Sequence, residues 1–361
     1  MKVAMLGNTG LSIYVFRGEL VERLLSLGHS VAVITPPDDY TQKMSDMGCS
    51  CYSIEIDRRG TNPLKDIKVL IKYVKLLRQI KPDIVFSYTI KPNIYGAMAC
   101  RLLGIPIVVN VTGLGTAVEY KGWKQVVTLM LYRLSFEKVK TIFFQNNDNM
   151  KFFQDRKIYD EKHKLLPGSG VNLARFKLEE YPSDDVVNFI FVSRLMKEKG
   201  IDQYLEAAEY ITSKYPNTRF HICGFCEKEY ESKLEALKNN SAIIYHGMVK
   251  DMTSILPSMH CTIHPTYYPE GLSNVLLESL ATGRPIITTD RAGCREVVED
   301  GINGFVVKQQ NGNDLIEKIE KFLLLSYEQK KQMGLFGRQK VELEFDRNIV
   351  IEKYMKEVEK M

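Results

Sequence analysis

Two glutamates eight residues apart, Glu270 and Glu278, bracket a Pro269-Glu270-Gly271 turn and the start of an apolar helix. Carboxylates accept hydrogen bonds from hydroxyl groups. A helix start aims backbone N–H groups and partial positive charge at whatever precedes it, so an anion fits there. Ser273 or Asn274 can cap that start, and Leu272, Val275, Leu276, Leu277 and Leu280 give the helix one apolar face. Gly283 and Pro285 end it. If the whole segment is helical, the two carboxylates lie roughly 12 Å apart, about the distance between the hydroxyl-rich ends of a sugar nucleotide folded round its diphosphate. The same spacing also fits a first-turn glutamate on the helix dipole and a solvated one in mid-helix.

A cationic pair accompanies them. In Ser193-Arg-Leu-Met-Lys-Glu-Lys-Gly200, Arg194 offers a planar fork and Lys199 a point charge, and the two can reach one diphosphate. Ordinary surface-loop charge is the plainer alternative. Cys223-Gly-Phe-Cys226 matches C-x-x-C, but no second pair exists for a zinc site. Its first cysteine ends a strand where the redox motif should open a helix, so small residues in a strand-end loop are expected. Seven cysteines at scattered spacing argue against a disulfide framework. His221, His246 and His264 lie in or beside strands and read as structural.

These groups need a scaffold, and the chain supplies two. At 361 residues it is long enough for two domains. Lys2–Leu6, the loop Gly7–Gly10, a helix to Leu27 and Val31–Ile34 form a βαβ unit and hence a parallel sheet. The loop lacks the third glycine of a dinucleotide fingerprint, and Thr35-Pro-Pro stands where its acidic residue would be. Strands follow at Asp83–Ser87, Ile105–Val111 and Thr141–Phe144. Gly7–Gly10, Tyr88–Asn93 and Thr112–Gly115 should therefore line one wall at the strands' carboxyl ends. After a linker at Lys164–Gly170 a second alternating series begins at Asn188–Val192. The expected architecture is α/β, two Rossmann-like parallel-sheet domains facing across a cleft. Residues 1–168 make the first domain, joined by a C-terminal helix at about 346–361, and residues 169–345 make the second.

Charge divides between the halves, +9 over residues 1–170 and −4 over the rest. Residues 58–81 carry eight basic side chains and one acidic one. In the helix Leu64–Ile80, Leu64, Ile67, Ile71, Val74 and Leu77 form the expected apolar face beside a stripe of Lys65, Lys68, Lys72, Lys75 and Arg78. That pattern fits an anionic membrane surface, and equally a surface helix with snorkelling lysines. Trp123–Lys138 reads as core, membrane-facing, or both. The basic residues are too dispersed for a nucleic-acid groove. No apolar run is long enough to span a bilayer, and Met1–Gly7 is too short for a secretory signal, so a cytoplasmic protein is expected.

Taken together, residues 165–310 closely resemble the retaining family 4 glycosyltransferases of GT-B fold. The resemblance is carried by Phe191–Gly200, Glu270…Glu278, Ala281-Thr-Gly-Arg-Pro285, Gly293–Gly304 and Pro167–Asn172. Ser12–Arg17, Lys91–Gly96 and Val111–Gly115 resemble a narrower bacterial group, N-acetylgalactosaminyltransferase-like, that extends polyprenyl-diphosphate sugars in capsule, O-antigen or N-glycan precursor assembly. The resemblance implies a UDP-sugar donor whose diphosphate is held by Arg194, Lys199 and the backbone of Gly271, Leu272 and Ser273. Glu270 would read the sugar hydroxyls and Glu278 the ribose, with Gly10 on the donor side. Glu270, Arg194 and Lys199 would carry catalysis. Arg17 and Lys91 are expected to neutralise a lipid diphosphate. Thr112-Gly113 stands where many members carry a histidine, and it is assigned to the acceptor. No D-x-D occurs and no metal is required in this reading; the protein would sit on the inner face of the cell membrane. Alternatives are a GT-B sugar-nucleotide epimerase and a non-catalytic scaffold of a glycan assembly complex.

Overall fold

Short β-branched and aromatic runs, buried on both faces, recur along the chain and build sheets that helices cover on each side. The computed structural model describes every residue except Arg58, Arg59, Thr61, Tyr120, Lys238 and Asn239. The start of the basic 58–81 segment therefore lies outside the described residues. The chain forms two compact units. One comprises Met1–Ser169, Pro269–Leu272 and Asn348–Met361; the other comprises Gly170–Tyr268 and Ser273–Arg347. Pro269–Leu272 thus departs from the second domain expected to contain it.

In the first unit, strands β1 (Lys2–Leu6), β2 (Ser30–Thr35), β3 (Ser50–Ser53), β4 (Ile84–Tyr88), β5 (Ile107–Val111), β6 (Thr141–Phe144) and β7 (His163–Leu165) pair in the order β3-β2-β1-β4-β5-β6-β7. Every one of these pairings is parallel, with Val3 beside Val31 and Ile84. Lys164 and Leu165, expected in the linker, instead form the edge strand. Helices α1 (Gly10–Ser26) and α2 (Tyr40–Asp46) cover one face together with the last helix, whose Val350, Ile351, Tyr354 and Met355 enter the same core. Asn110 Nδ2 donates to the Tyr354 hydroxyl at 2.8 Å, fixing that helix to β5. Helices α3 (Pro63–Ile80), α4 (Ala97–Leu103), α6 (Trp123–Phe136) and α7 (Asn147–Gln154) cover the other face; α5 (Gly115–Glu119) precedes α6.

Of the apolar face expected for α3, Leu77 is buried and Val74 half-buried, but the rest points outward. Val69, Tyr73, Leu76, Leu77 and Ile80 are buried, whereas Leu64, Ile67 and Ile71 are exposed. The helix carries two apolar arcs roughly opposite one another at about 100° per residue, and packing on the sheet selected the one with the aromatic ring.

In the second unit, β8 (Val187–Val192), β9 (Thr218–Cys223), β10 (Ile243–Tyr245), β11 (Cys261–His264), β12 (Ile286–Thr289) and β13 (Gly304–Val307) pair in the order β10-β9-β8-β11-β12-β13, again in parallel. Around them lie α8 (Ile201–Lys214), α9 (Lys228–Leu237), α10 (Asn274–Ala281), α11 (Gly312–Leu323) and α12 (Tyr327–Glu344); α13 (Arg347–Glu359) then returns to the first unit from Asn348 on. Between β10 and β11 the chain makes two 3₁₀ turns, Met252–Ser254 and Leu256–Ser258. Arg284 is fully buried, donating to the carbonyls of Leu256, Glu179, Glu180, Pro257 and Gly283. The Thr-Gly-Arg-Pro motif is therefore a structural lock: a carbonyl cage satisfies the cation, and burial lowers its pKa to about 10.

Candidate active site

Each sheet reverses its strand order once, beside β1 and β4 in the first unit and beside β8 and β11 in the second. Loops at the carboxyl ends of such strands diverge and leave room for a ligand. The residues that could do chemistry gather at these two points.

In the second unit the loop after β8 carries Arg194 and Lys199, and the segment after β11 carries Tyr268. The Lys199 ammonium lies 4.8 Å from the centre of the Tyr268 ring and the Arg194 guanidinium 6.0 Å. Both cations thus lie over one aromatic ring. Arg194 is also 3.8 Å from Glu227, an exposed and weak pair. Two backbone features fix the loop. Glu198 O accepts from Tyr267 N at 2.9 Å and from the Thr266 hydroxyl at 3.2 Å. Gly200, at φ +79, packs on the Pro265 carbonyl so closely that any Cβ would overlap it.

The C-x-x-C segment buttresses the same loop. Gly224 at φ +146 lies against the Ser193 carbonyl, and Leu195 N donates to Phe225 O at 2.8 Å. Burial raises the Cys223 thiol to about 11 and raises Cys226 as well, the opposite of what a redox thiolate needs.

Helix α10 begins at Asn274, after extended backbone at Ser273, so Glu270 and Glu278 do not share one helix. The 12 Å separation expected for a continuous helix is thereby withdrawn; the Pro269-Glu270-Gly271 turn leaves only the second half helical. Ser273 occupies the N-cap position but makes no side-chain cap hydrogen bond, and the first turn has no acidic residue. Its N–H groups and dipole therefore remain suited to an anion. Glu278 lies on this helix, half-buried, and burial pushes its carboxyl up to about 7 against the pull of Arg347 and Arg175. A carboxyl poised near neutrality, with cations close by, ionises readily when hydroxyl donors reach it.

In the first unit Glu270 and Gly271 interlock with the loops after β5 and β6. A Cβ on Gly271 would overlap the Thr112 carbonyl and Gln145 Oε1, and one on Gly113 would sit 3.1 Å from Gly271 N. Asn146 Nδ2 donates to the carbonyls of Glu270 and Gly271, and Asn149 Nδ2 donates to Glu270 O at 3.3 Å. Leu272 packs against Gly168. The structure thus brings Thr112, Gly113, Glu270, Gly271 and Leu272 together. Sequence reasoning missed Gln145, Asn146 and Asn149. Their signal was an amide-rich run, Gln145-Asn-Asn-Asp-Asn149, at a strand's carboxyl end.

Three other residues are differently placed from what the sequence suggested. Gly10 does open α1, but Asp38 fills that helix start, accepting from Leu11 N at 3.0 Å where an anion would bind. Arg17 is buried, its guanidinium 4.9 Å from the Tyr88 ring centre and 5.8 Å from that of Tyr354. Lys91 is paired at 2.6 Å with Asp66 of α3, which also accepts from the Tyr95 hydroxyl at 3.0 Å. Lys91 leads into a π-helical turn at Pro92–Gly96, and Thr89 before it has φ +71. A strained, non-standard backbone of this kind at a strand's carboxyl end is characteristic of a working loop. His221 Nδ1 and His246 Nε2 lie 2.8 Å apart, stacked at the sheet edge, where burial lowers His221 to about 4. Among the described residues no cluster of three or more His, Cys, Asp or Glu could hold a metal ion.

Comparison with known proteins decides the family. Residues 174–340 match the family "Glycosyl transferases group 1" and residues 2–146 match "Glycosyl transferase 4-like". The chain belongs to these glycosyltransferases. This enzyme is 28% identical to the N,N'-diacetylbacillosaminyl-diphospho-undecaprenol alpha-1,3-N-acetylgalactosaminyltransferase of Campylobacter jejuni, over 99% of this chain and 98% of that one. It is 27% identical to the UDP-Gal:alpha-D-GlcNAc-diphosphoundecaprenol alpha-1,3-galactosyltransferase of Escherichia coli, over 72% of this chain and 71% of that one. The fold matches Anabaena HepE crystallised with UDP-glucose, at 15% identity and TM-score 0.83 with both chains fully covered. The glycosyltransferase therefore has the two Rossmann-like parallel-sheet domains of the GT-B class, as its sequence implied.

Proposed function

We propose that this glycosyltransferase moves a hexose or N-acetylhexosamine from a UDP-sugar to a polyprenyl-diphosphate-linked saccharide during surface polysaccharide or glycan assembly. The convergence of Arg194 and Lys199 on Tyr268 at the strand-order reversal carries the reading. Two cations and an uncapped helix start at one sheet edge suit a diphosphate, and the names of the Campylobacter and Escherichia relatives support the lipid-linked acceptor. The crystallised Anabaena relative with UDP-glucose supports the donor class.

In this reading Arg194, Lys199 and the backbone from Gly271 through Leu272 to Ser273 hold the diphosphate. Glu270 orients the sugar hydroxyls and Glu278 the ribose. Gly10 lies on the donor side, at the α1 start where Asp38 accepts from Leu11 N. Thr112 and Gly113 bound the acceptor side. Lys91 reaches an acceptor diphosphate only by exchanging Asp66 for it, and Arg17 acts from beneath, through Tyr88. Transfer occurs at the front face: the bond from the anomeric carbon to the diphosphate oxygen breaks as the acceptor oxygen bonds to that carbon. The departing oxygen takes the acceptor proton, so the anomeric configuration is retained without a protein nucleophile. Arg194, Lys199 and the helix dipole neutralise the leaving charge, making a metal unnecessary.

No helix among the described residues is long and apolar enough to cross a membrane, and we place the enzyme peripherally on the inner membrane face. The deciding experiment is a panel of UDP-sugars with a polyprenyl-diphosphate sugar acceptor, with and without EDTA, products read by mass and NMR. Retained-anomer product at an EDTA-insensitive rate is expected. An inverted anomer or a trapped glycosyl-enzyme adduct sinks the mechanism, and sugar release without acceptor points to the epimerase reading.

A further inference from the structure

Helix α6 presents a complete apolar stripe to solvent. Trp123, Val126, Val127, Met130 and Leu134 follow helical spacing along one side, and all are exposed, Trp123 and Val126 at 66%. The opposite side, through Tyr132 and Phe136, is what packs into the core beneath the sheet. The neighbouring helices repeat the pattern. Helix α4 and its π-helical turn touch both α3 and α6, and the outward Leu102 of α4 and Leu64, Ile67 and Ile71 of α3 are exposed too.

Charge identifies the occupant. Exposed Lys65, Lys68, Lys72, Lys75 and Arg78 run beside the apolar residues of α3, and exposed Lys121, Lys124, Arg133 and Lys138 surround the stripe on α6. The nearby acids are already engaged: Asp66 turns inward to Lys91, Glu137 pairs with Arg101 at 2.8 Å, and Asp57 pairs with Lys65 at 3.5 Å, which leaves Lys68, Lys72, Lys75 and Arg78 as the basic stripe of α3. An apolar strip in a single-signed basic field matches an anionic lipid leaflet, whereas a protein partner of ordinary mixed charge would leave most of these lysines unmatched.

We propose that the outer surface of α3, α4 and α6 is a bilayer-insertion surface. The α6 stripe sinks about 5–10 Å into the headgroup and acyl boundary while the α3 lysines meet lipid phosphates. The inference rests on the membrane-linked acceptor proposed above and names the face that approaches it.

Trp123 is the only tryptophan in the chain, so its emission reports directly from the stripe. The full-length enzyme is titrated with vesicles of phosphatidylcholine alone and of phosphatidylcholine with phosphatidylglycerol. The anionic vesicles are expected to shift Trp123 emission to the blue, with quenching by acyl-brominated lipid. Val126→Glu with Met130→Glu should lower vesicle partitioning about 100-fold at an unchanged thermal melt. Lys68→Glu with Lys72→Glu should lower it by about tenfold or more, in a salt-sensitive manner. Binding without a change in Trp123 emission, or no binding at all, overturns the proposal. Blue-shifted emission that depends on protein concentration without vesicles overturns it in favour of a second copy covering the stripe. Transfer to a short-chain, water-soluble acceptor is measured in parallel and should survive Val126→Glu/Met130→Glu. If the wild type inserts but glycosylates no polyprenyl-diphosphate acceptor, the functional reading falls and the insertion surface stands.

Discussion

Replacing Glu278 by Gln isolates the energetic cost of one carboxylate. In the folded protein its carboxyl titrates at about 7, against a usual value of 4.5. Below pH 4.5 both folded and unfolded chains hold the proton. As pH rises from 4.5 to 7 the unfolded chain loses it and the folded chain keeps it, so folding stability falls across that window and stays lower above it. The gap corresponds to about 3 kcal/mol, an upper figure because a half-buried carboxylate retains some water. Gln reproduces the neutral form. At pH 8 Glu278→Gln should therefore raise the melting temperature of the second unit's transition by up to about 6–12 °C, and at pH 4.5 it should change it little. Calorimetry across this pH range reads the difference directly. A gain independent of pH, or a loss at pH 8, would refute the assignment of the raised pKa. If ribose hydroxyls bind the ionised form, donor affinity should weaken about tenfold from pH 8 to pH 6 in the wild type. Binding at pH 7 should release protons, detectable as buffer-dependent binding heat. The Gln variant should lose both effects.

Arg194→Ala and Lys199→Ala should each lower kcat about 10²-fold or more as well as weaken donor binding, because the charge they meet grows as the diphosphate leaves. Steady-state kinetics with unchanged kcat would remove either residue from that role. Gly271→Ala drives a Cβ into the Thr112 carbonyl and Gln145, so a loss of roughly 1–3 kcal/mol in denaturant unfolding is expected, together with a fall in kcat/KM. Arg284→Met leaves a cage of buried carbonyls without donors and should cost at least about 3 kcal/mol, again by denaturant unfolding, while a stable Met variant would show the cage to be dispensable.

Local sequence determined much of this protein. Alternating apolar strands and helices dictated two parallel sheets, because parallel neighbours need crossover helices. Ser193–Gly200 and the α10 start were legible because each draws its character from a few consecutive residues: a fork and a point charge on one loop, or a helix whose apolar spacing is plain. What the sequence could not decide was choice between partners distant along the chain. Helix α3 has two apolar arcs, and only contact with the sheet chose Tyr73 and Val69 over Leu64 and Ile71. Asp38 fills the α1 start, and Asp66 engages Lys91, through folding that joins residues about 25 apart. Arg17, expected at a lipid diphosphate, is instead buried beside Tyr354 from the far end of the chain. Glu270 and Glu278 looked like one helical element. Tertiary packing gave the first to Asn146 and Asn149 and left the second on α10, because Gly271 alone is small enough to lie against Thr112.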